Sequence, residues 1–558
     1  MNKVLLTKLE IRNLGPIKED TVHFNPFTYF VGRNNSGKSH YLKAIELLLA
    51  SRSPEAEEIV RLQNDQAKEI VIEGHFEGVH AYTSLVTKSN HKEAIEQAIQ
   101  GGVLKVVRKL TSSREADSVF GVYDSTGEVV NPSGFAGNLL KILPEPISIV
   151  ATADTIDELK SKGNTAIAKL KKEVLGAFLE NLKSKTNDAF KDINEYLHSH
   201  DVGKRSPELT SFENELKEEL VGEFAEIIPS VEFTLPDEEV ISKDLKIFLD
   251  DGHRSEVSEK GHGLQRATLL ALLRLLARQG TRYRDRPAPM FLVGELETFL
   301  HPYAQMQLAH ALSDLVDRYQ IVTSTHSPFI ITPENVEGYR RVMKGVDGTK
   351  NLRPDWSGLD VGPVKRHLEW RGNLEGLFAD RIVLIEGDHD EKFYEKLITI
   401  FGLSYPPRKF TLFVKTSGKK QLRIVRDFYK RMSFDDVAVL SDLDYLFSED
   451  SKHLFRQLGL DEAKVDAFRG HIGWSSPRDP GLRDVLDALA KKGNPPDLDD
   501  TITQLEKHRV FILRHGAPEQ YYKNDTGIKG AWANIVSESD LKEATYLRNL
   551  MLQLLSQI

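Results

Sequence analysis

Apolar positions alternate with polar ones through Val4, Leu6, Leu9 and Ile11, and the alternation then closes into an unbroken apolar run from Phe27 to Val31. That order of patterns predicts half-buried strands followed by a buried one. GRNNSGKS, Gly32 to Ser39, comes next, and apolar residues at helical spacing from Tyr41 to Ala50 complete a strand, glycine loop, helix unit. From Thr155 to about His200 the chain is charged and helical, with Leu159, Ile167, Leu170, Val174, Phe178 and Leu182 as its apolar stripe. Breaks around Gly163 and Gly176 favour a helical pair over one coiled coil. Glu232 to Arg341 returns to an α/β pattern, and a loop-rich stretch with Gly345, Gly348, Pro354 and Gly358 leads to an expected boundary between Arg371 and Ala379. Four short β-rich runs, Arg381 to Ile385, Phe410 to Val414, Val437 to Leu440 and Val510 to Leu513, then alternate with helical segments, which predicts a parallel sheet. Residues 448–500, polar and broken by Pro477, Pro480, Pro495 and Pro496, read as an insertion between the last two strands. The expected division is an α/β body made of 1–150 and 236–375, interrupted by a helical segment at 151–235, and a second α/β domain at 376–558.

Length and composition agree with several buried cores: 558 residues, 40% apolar and 28% charged, exceed what one core holds and are too apolar for a disordered chain. The absence of cysteine excludes disulfides, thiolate metal sites and cysteine nucleophiles together. The N-terminal stretch MNKVLLTKLEIRN lacks the apolar core of a signal peptide, and no run reaches the ~18 to 20 apolar residues of a membrane span, so a cytoplasmic protein without membrane contact is expected. A net charge of −9 argues against a uniformly basic surface, yet local basic stripes remain compatible with nucleic acid.

The spacing Gly32-x4-Gly37-Lys38-Ser39 suits a phosphate-binding loop, in which the backbone N–H groups of Gly32, Asn34, Asn35, Ser36 and Gly37 wrap the phosphates of ATP at a helix N-terminus. Lys38 then reaches the β and γ phosphates, and Ser39 ligates Mg²⁺. Three later segments, SEKGHGLQR from Ser258, MFLVGELETFLHP from Met290 and IVTSTHSPF from Ile321, resemble the signature, Walker B and switch-histidine motifs of ABC-type ATPase heads. The resemblance implies that Glu295 orients the attacking water and that His326 senses the γ-phosphate. It also implies that Gly261 and Gly263 contact ATP held by a second head, hence a homodimer or higher homo-oligomer. Gly294 departs from the pattern, because an acid that supports the Mg²⁺ shell usually stands there. Slow turnover, or ATP used as a switch, is therefore expected.

Glu386 and Gly387 follow the run ending at Ile385, and Asp390 comes four residues after the glutamate; Asp442 and Asp444 follow the run Val437 to Leu440 in the same way. Acids at the carboxyl ends of parallel strands face the crevice where such sheets place their chemistry, and alternation places Asp442 and Asp444 on one face. Four carboxylates there repel one another unless a divalent cation, Mg²⁺ or Mn²⁺, neutralises them. Strand, Glu-Gly, then strand, Asp-x-Asp, resembles the Toprim domain. An ABC-type head with a helical dimerisation insert followed by a C-terminal Toprim domain resembles the OLD (overcoming lysogenization defect) family of ATP-linked nucleases, relatives of which serve in the Gabija anti-phage system and in some retrons.

That resemblance implies an ATP-regulated, divalent-metal-dependent DNA endonuclease, nicking or cutting both strands, in anti-phage defence, and it admits an accessory protein or guide nucleic acid as a further partner. It adds Glu519 of VFILRHGAPEQYY to the metal-binding acids and calls for a nearby lysine, Lys529 first and Lys523 second. Between Arg408 and Arg431 nine basic residues meet one acid, and Lys419, Arg423, Arg426 and Lys430 form a helical stripe suited to a DNA backbone. A second basic cluster, Arg266, Arg274, Arg278, Arg282, Arg284 and Arg286, suits the interface between heads. The alternative is a RecF- or SMC-like repair ATPase or nucleotide sensor without a nuclease of its own. Lys38 and Gly263 lie 225 residues apart (263 − 38), too near for the long arms of an SMC protein, and the C-terminal acids distinguish the chain from a RecF-like one.

Overall fold

The computed structural model describes residues 3–111, 118–150, 206–221, 227–233, 245–278, 286–295, 297–298, 300–369, 371–403, 410–416, 418–523, 535 and 537–555. The helical pair expected between Thr155 and His200 lies outside them. The chain forms two compact units, Met1–Arg353 and Pro354–Ile558. Among the described residues no helix is long and apolar enough to cross a membrane.

In the first unit the parallel strands Tyr339–Gly345, Phe27–Val31, Gln320–Thr325, Met290–Gly294 and Pro146–Val150 lie side by side, with Gly348–Leu352 closing one edge as an antiparallel hairpin. Phe27–Val31, Gln320–Thr325 and Met290–Gly294 are buried at every residue, which is why they read as continuous apolar runs rather than alternating ones. An antiparallel sheet, with Ile17–His23, Leu5–Leu14, Ile70–Glu77, Val103–Leu110 and Val119–Tyr123 in that order, alternates instead. Helix Lys38–Leu49 lies between the two sheets, and its Ile45 and Leu48 share one core with Leu6, Phe76 and Val106 of the antiparallel sheet and Leu292 and Val322 of the parallel one. Leu48 packs so closely on Gly74 that a Cβ there would meet it at 2.4 Å. The helix begins at Gly37 with φ +100°, without a side-chain cap and without an acid in its first turn. Its N-terminal N–H groups and positive dipole end are thus left for an anion.

The second unit is built on a four-stranded parallel sheet in the order Thr411–Lys415, Arg381–Ile385, Val437–Ser441, Val510–Ile512. All four strands fall on the β-rich runs expected from the sequence. The insertion between the last two is helical, with Glu449–Gln457, Ala463–Ile472, Leu482–Lys492 and Leu498–Lys507, and its four prolines fall between helices rather than inside them. Residues 354–375, assigned from the sequence to the first domain, pack with this unit. Trp356 stacks on Phe428 at 6.0 Å, and Asn373 donates to the Lys415 carbonyl at 2.8 Å and accepts from the Tyr429 hydroxyl through its own carbonyl at 3.1 Å. At the strands' amino end the buried Arg381 joins Asp436 at 2.5 Å and the Leu555 carbonyl at 2.6 Å, tying the closing helix Ala544–Leu555 to the sheet. The opposite, carboxyl end is left for chemistry.

Two candidate sites at strand ends

The glycine loop emerges from Phe27–Val31 and is wedged against the hairpin beside it. A Cβ on Gly32 would meet the Val342 carbonyl oxygen at 2.4 Å, and one on Gly37 would meet Thr349 Oγ1 at 2.7 Å. Thr349 Oγ1 also donates to the Ser36 carbonyl at 2.8 Å. Only glycine fits both places, so the spacing that identifies the loop is imposed by packing as well as by phosphate geometry. Asn34, Asn35 and Ser39 are exposed along it, and Ser36 is buried. Lys38 Nζ donates to the Gly32 carbonyl at 3.1 Å, to the Arg33 carbonyl at 3.0 Å and to His326 Nε2 at 2.7 Å. An ammonium can only donate, so this ring nitrogen carries no proton. Burial lowers the Lys38 ammonium to about 8 against the pull of Glu295 and Glu297. Burial, and then the Lys38 charge, hold His326 below the usual imidazole range.

Glu295 follows Gly294 at the end of Met290–Gly294 with φ +51°, a conformation a glutamate seldom adopts, and its carboxylate stands 3.5 Å from His326 Nε2. Glu297 was not singled out from the sequence. Its buried carboxylate accepts from the Thr325 hydroxyl at 2.8 Å and from the His326 backbone N–H at 2.6 Å, so it anchors the turn that presents the histidine; burial raises its pKa. Lys38, Glu295 and His326 thus converge from three adjacent strands. Gly261 and Gly263 stand exposed at the start of helix His262–Arg278, with open space where a Cβ would project. Behind them Arg274, expected among interface arginines, is half of an internal ion pair with Glu219 at 3.0 Å.

In the second unit Glu386, Asp442 and Asp444 place carboxylate oxygens within 4.8 Å of one another. Oxygens shared by one Mg²⁺ at about 2.1 Å stand at most about 4.2 Å apart, so a small closing movement suffices for a common ion. Glu386 ends Arg381–Ile385 and accepts from the Ser441 hydroxyl at 2.6 Å. Val437–Ser441 stops one residue before Asp442, and the chain turns into a single 3₁₀ segment, Leu443–Phe447. Alternation along a strand is therefore not what brings Asp442 and Asp444 together; the turn does. Burial and then the charges of Glu386, Asp390, Asp444 and Glu519 push the Asp442 carboxyl well above the usual carboxylate range. Burial also raises Glu386, against the Ser441 hydrogen bond and with Asp444 and Asp390 adding to the rise.

Asp390 and Glu519 stand outside the tight group of three. Asp390 accepts from the Gly387 N–H at 2.9 Å at the start of helix Asp388–Ile400 and is raised by burial, with Glu519 contributing. Glu519, in the 3₁₀ turn Pro518–Tyr521, reaches the cluster through its charge on Asp390 and Asp442. Lys523 is exposed, and Lys529 lies outside the described residues. The cation that the structure does bring to the acids is Lys419, whose Nζ stands 2.6 Å from Asp444 Oδ2.

Much of the basic stripe expected to carry DNA makes hydrogen bonds or ion pairs within the unit. Arg423 pairs with Asp450 at 3.1 Å, the half-buried Arg426 sets its guanidinium on the His508 carbonyl at 3.3 Å, and the exposed Lys430 donates to the Asp435 carbonyl at 2.6 Å. Helical periodicity placed these residues on one face correctly, but it could not reveal that the insertion packs on that face.

Comparison with known proteins agrees with both halves. A family model described as an AAA ATPase domain matches residues 5–102 and 76–331, and one described as the TOPRIM domain of overcoming lysogenization defect-like proteins matches 377–444. The Old nuclease of Escherichia phage P2 is 29% identical over 463 residues, 79% of this chain and 78% of the relative. The OLD nuclease of Thermus scotoductus is 23% identical over 467 residues, 78% of this chain and 81% of the relative. Among solved structures, an SMC head bound to the C-winged helix domain of ScpA aligns over 62% of this chain and 97% of that one, with 16% identity and a TM-score of 0.41.

Proposed function

Since the chain belongs to the OLD family, with an AAA ATPase domain followed by an OLD-like TOPRIM domain, we propose that it is an ATP-regulated, divalent-metal-dependent DNA endonuclease. The convergence of Glu386, Asp442 and Asp444 at one strand-end crevice carries this reading. Three half-buried or buried acids so close together, with Glu386 and Asp442 held above the usual carboxylate range by burial and by neighbouring charges, are a costly arrangement unless a cation is meant to join them. The donor set is all oxygen, which suits Mg²⁺ or Mn²⁺. Glu386, Asp442 and Asp444 would hold the ion directly, with Asp390 and Glu519 at the margin of the site. Bound there, the metal supplies an activated water and charge neutralisation at the scissile phosphate.

The chain's own side chains prepare that chemistry. Ser441 fixes the rotamer of Glu386 through its hydroxyl, and Asp390 holds the Glu386–Gly387 turn by capping the following helix. In the first unit the loop from Gly32 to Ser39, with Lys38, Glu295 and His326, would take ATP, and Gly261 and Gly263 would meet the nucleotide of a second copy in a homodimer. Gly294 leaves the Mg²⁺ of ATP with fewer fixed oxygens, so turnover is slow and bound nucleotide acts mainly by favouring one conformation. We place the protein in the cytoplasm, in defence against phage. The gathered acids speak against an ATPase without a nuclease.

Supercoiled plasmid incubated with the purified protein tests this. Nicking or linearisation with Mg²⁺ or Mn²⁺, none with EDTA, and a response to ATP that a non-hydrolysable analogue reproduces are expected. Cleavage that persists in Glu386→Gln and Asp442→Asn together would place the chemistry elsewhere.

A further inference from the structure

Lys419 reaches the acids by an unusual route. Strand Thr411–Lys415 ends beside Arg381–Ile385, and the loop that follows is stitched to the neighbouring strand end: the Thr416 hydroxyl donates to the Ile385 carbonyl at 3.1 Å, and the Gly418 N–H donates to the Glu386 carbonyl at 3.1 Å. Gly418, at φ +108°, turns the chain so that the next residue faces the crevice. The Lys419 ammonium then lies between two acceptors, Asp444 Oδ2 at 2.6 Å and the Pro480 carbonyl at 3.1 Å. Both partners of the ion pair are largely buried, with side-chain exposures of 17% and 10%.

The second acceptor belongs to the helical insertion, and that segment is itself pinned. Arg469 donates to the Phe447 carbonyl at 3.3 Å, the Ser476 carbonyl at 2.9 Å and Asp479 at 3.3 Å, and Asp479 accepts from the Glu449 N–H at 2.9 Å. Arg469 thus joins the end of the turn that carries Asp444 to the segment that carries Pro480.

We infer that Lys419 is a resident counter-cation that occupies Asp444 in the metal-free protein and that a divalent ion must displace from it. The inference rests on the reading of Glu386, Asp442 and Asp444 as metal ligands. An ammonium 2.6 Å from Asp444 Oδ2 already compensates that carboxylate, and a divalent ion joining the same carboxylate would meet a like charge at close range, so the two compete for it. Lys419 therefore makes metal loading conditional: the ion binds when its concentration is high enough to expel the lysine, or when DNA phosphate offers the ammonium another partner. The insertion takes part, since the Pro480 carbonyl keeps the lysine close enough to return.

Calorimetric titration of the full-length protein with Mn²⁺, without DNA, tests this. Lys419→Met should bind Mn²⁺ at least about ten-fold more tightly than the unmodified protein, the effect of removing one cation beside a charged site, and Lys419→Arg should stay near the unmodified affinity. A lysine that merely braced the insertion would lower the melting temperature on removal and leave Mn²⁺ affinity unchanged or weaker, and that result overturns the inference. Should Lys419→Met fail to fold, Lys419→Gln, which keeps a donor for the Pro480 carbonyl, decides by the same criterion. No Mn²⁺ binding by either the unmodified protein or Lys419→Met would overturn the metal reading itself, whereas binding that Lys419→Met does not tighten would overturn only the role given to Lys419.

Discussion

The ATP loop and the acid cluster occupy equivalent places, each at the carboxyl end of a parallel sheet, and they store charge of opposite sign. At the loop a lysine and the N–H groups of a helix start are held ready for an anion; at the cluster three carboxylates are held ready for a cation. Each is meanwhile occupied from within. Lys38 turns back onto the Gly32 and Arg33 carbonyls and His326, and Lys419 lies on Asp444. At the loop opposite charges, Glu295 and Glu297, offset part of what burial does to Lys38; the cluster gathers like charges, so Glu386, Asp390 and Asp442 are raised by burial and then further by the acids around them. A site that waits for a cation is thus under more electrostatic load than one that waits for an anion.

The largest effect expected from that contrast is at Asp442. Asp442→Asn should lower DNA cleavage by more than about 100-fold, yet melt no lower than the unmodified protein when metal is absent. The sign follows from the raised pKa: an acid whose pKa is higher folded than unfolded adds stability below its unfolded pKa and loses it as pH rises through the folded one. Thermal denaturation in EDTA should accordingly show stability falling with rising pH above the ordinary carboxylate range, less steeply in Asp442→Asn. A lower melting temperature for the variant at neutral pH would break the contrast.

Next in size, Lys38→Ala should weaken ATP binding by about 10- to 100-fold, the range of a charge-assisted contact, measured by fluorescence with a labelled nucleotide. The same variant should keep basal metal-dependent cleavage and lose only its response to nucleotide. A smaller, opposite change is expected at Gly294→Asp, which restores an acid beside Glu295 and should raise phosphate release by a few-fold. Smallest is Asp390→Asn: the amide oxygen can still accept from the Gly387 N–H, so stability should change by less than about 1 kcal/mol and cleavage should fall less than in Asp442→Asn. Equal losses at Asp390 and Asp442 would make Asp390 a direct ligand.

Much of this was legible in the sequence because strands buried on both faces leave unbroken apolar runs, and the residues just after such a run stand by construction at a sheet's edge. Gly32 to Ser39, Glu386, Asp442 and Asp444 are singled out that way, whereas Glu295 and His326 are singled out by the resemblance of their segments to motifs of ABC-type heads. Lys419 was noticed for the wrong reason: counted as one cation of a stripe, it could not be paired with an acid 25 residues on (444 − 419) without knowing where the turn after Ser441 leads. Arg423 and Arg426 were misread together with it, since periodicity assigns a face but not what covers the face. Glu297 and Ser441 escaped notice because a carboxylate two residues after Glu295 and a hydroxyl just before Asp442 carry no spacing rule of their own; only their hydrogen bonds to the His326 N–H and to Glu386 give them a role.

The pairing of Phe27–Val31 with Gln320–Thr325 also sets a timetable for a growing chain. Phe27 meets Ile321, 294 residues later (321 − 27), so the glycine loop leaves the ribosome long before the strand that brings His326 to it. At roughly 5–20 residues per second the loop waits some tens of seconds for its histidine. Glu386 is synthesised only 61 residues after Thr325 (386 − 325), a further few seconds. The nucleotide site is therefore the first of the two whose residues have all been made, and each new molecule can meet ATP before its acids have gathered.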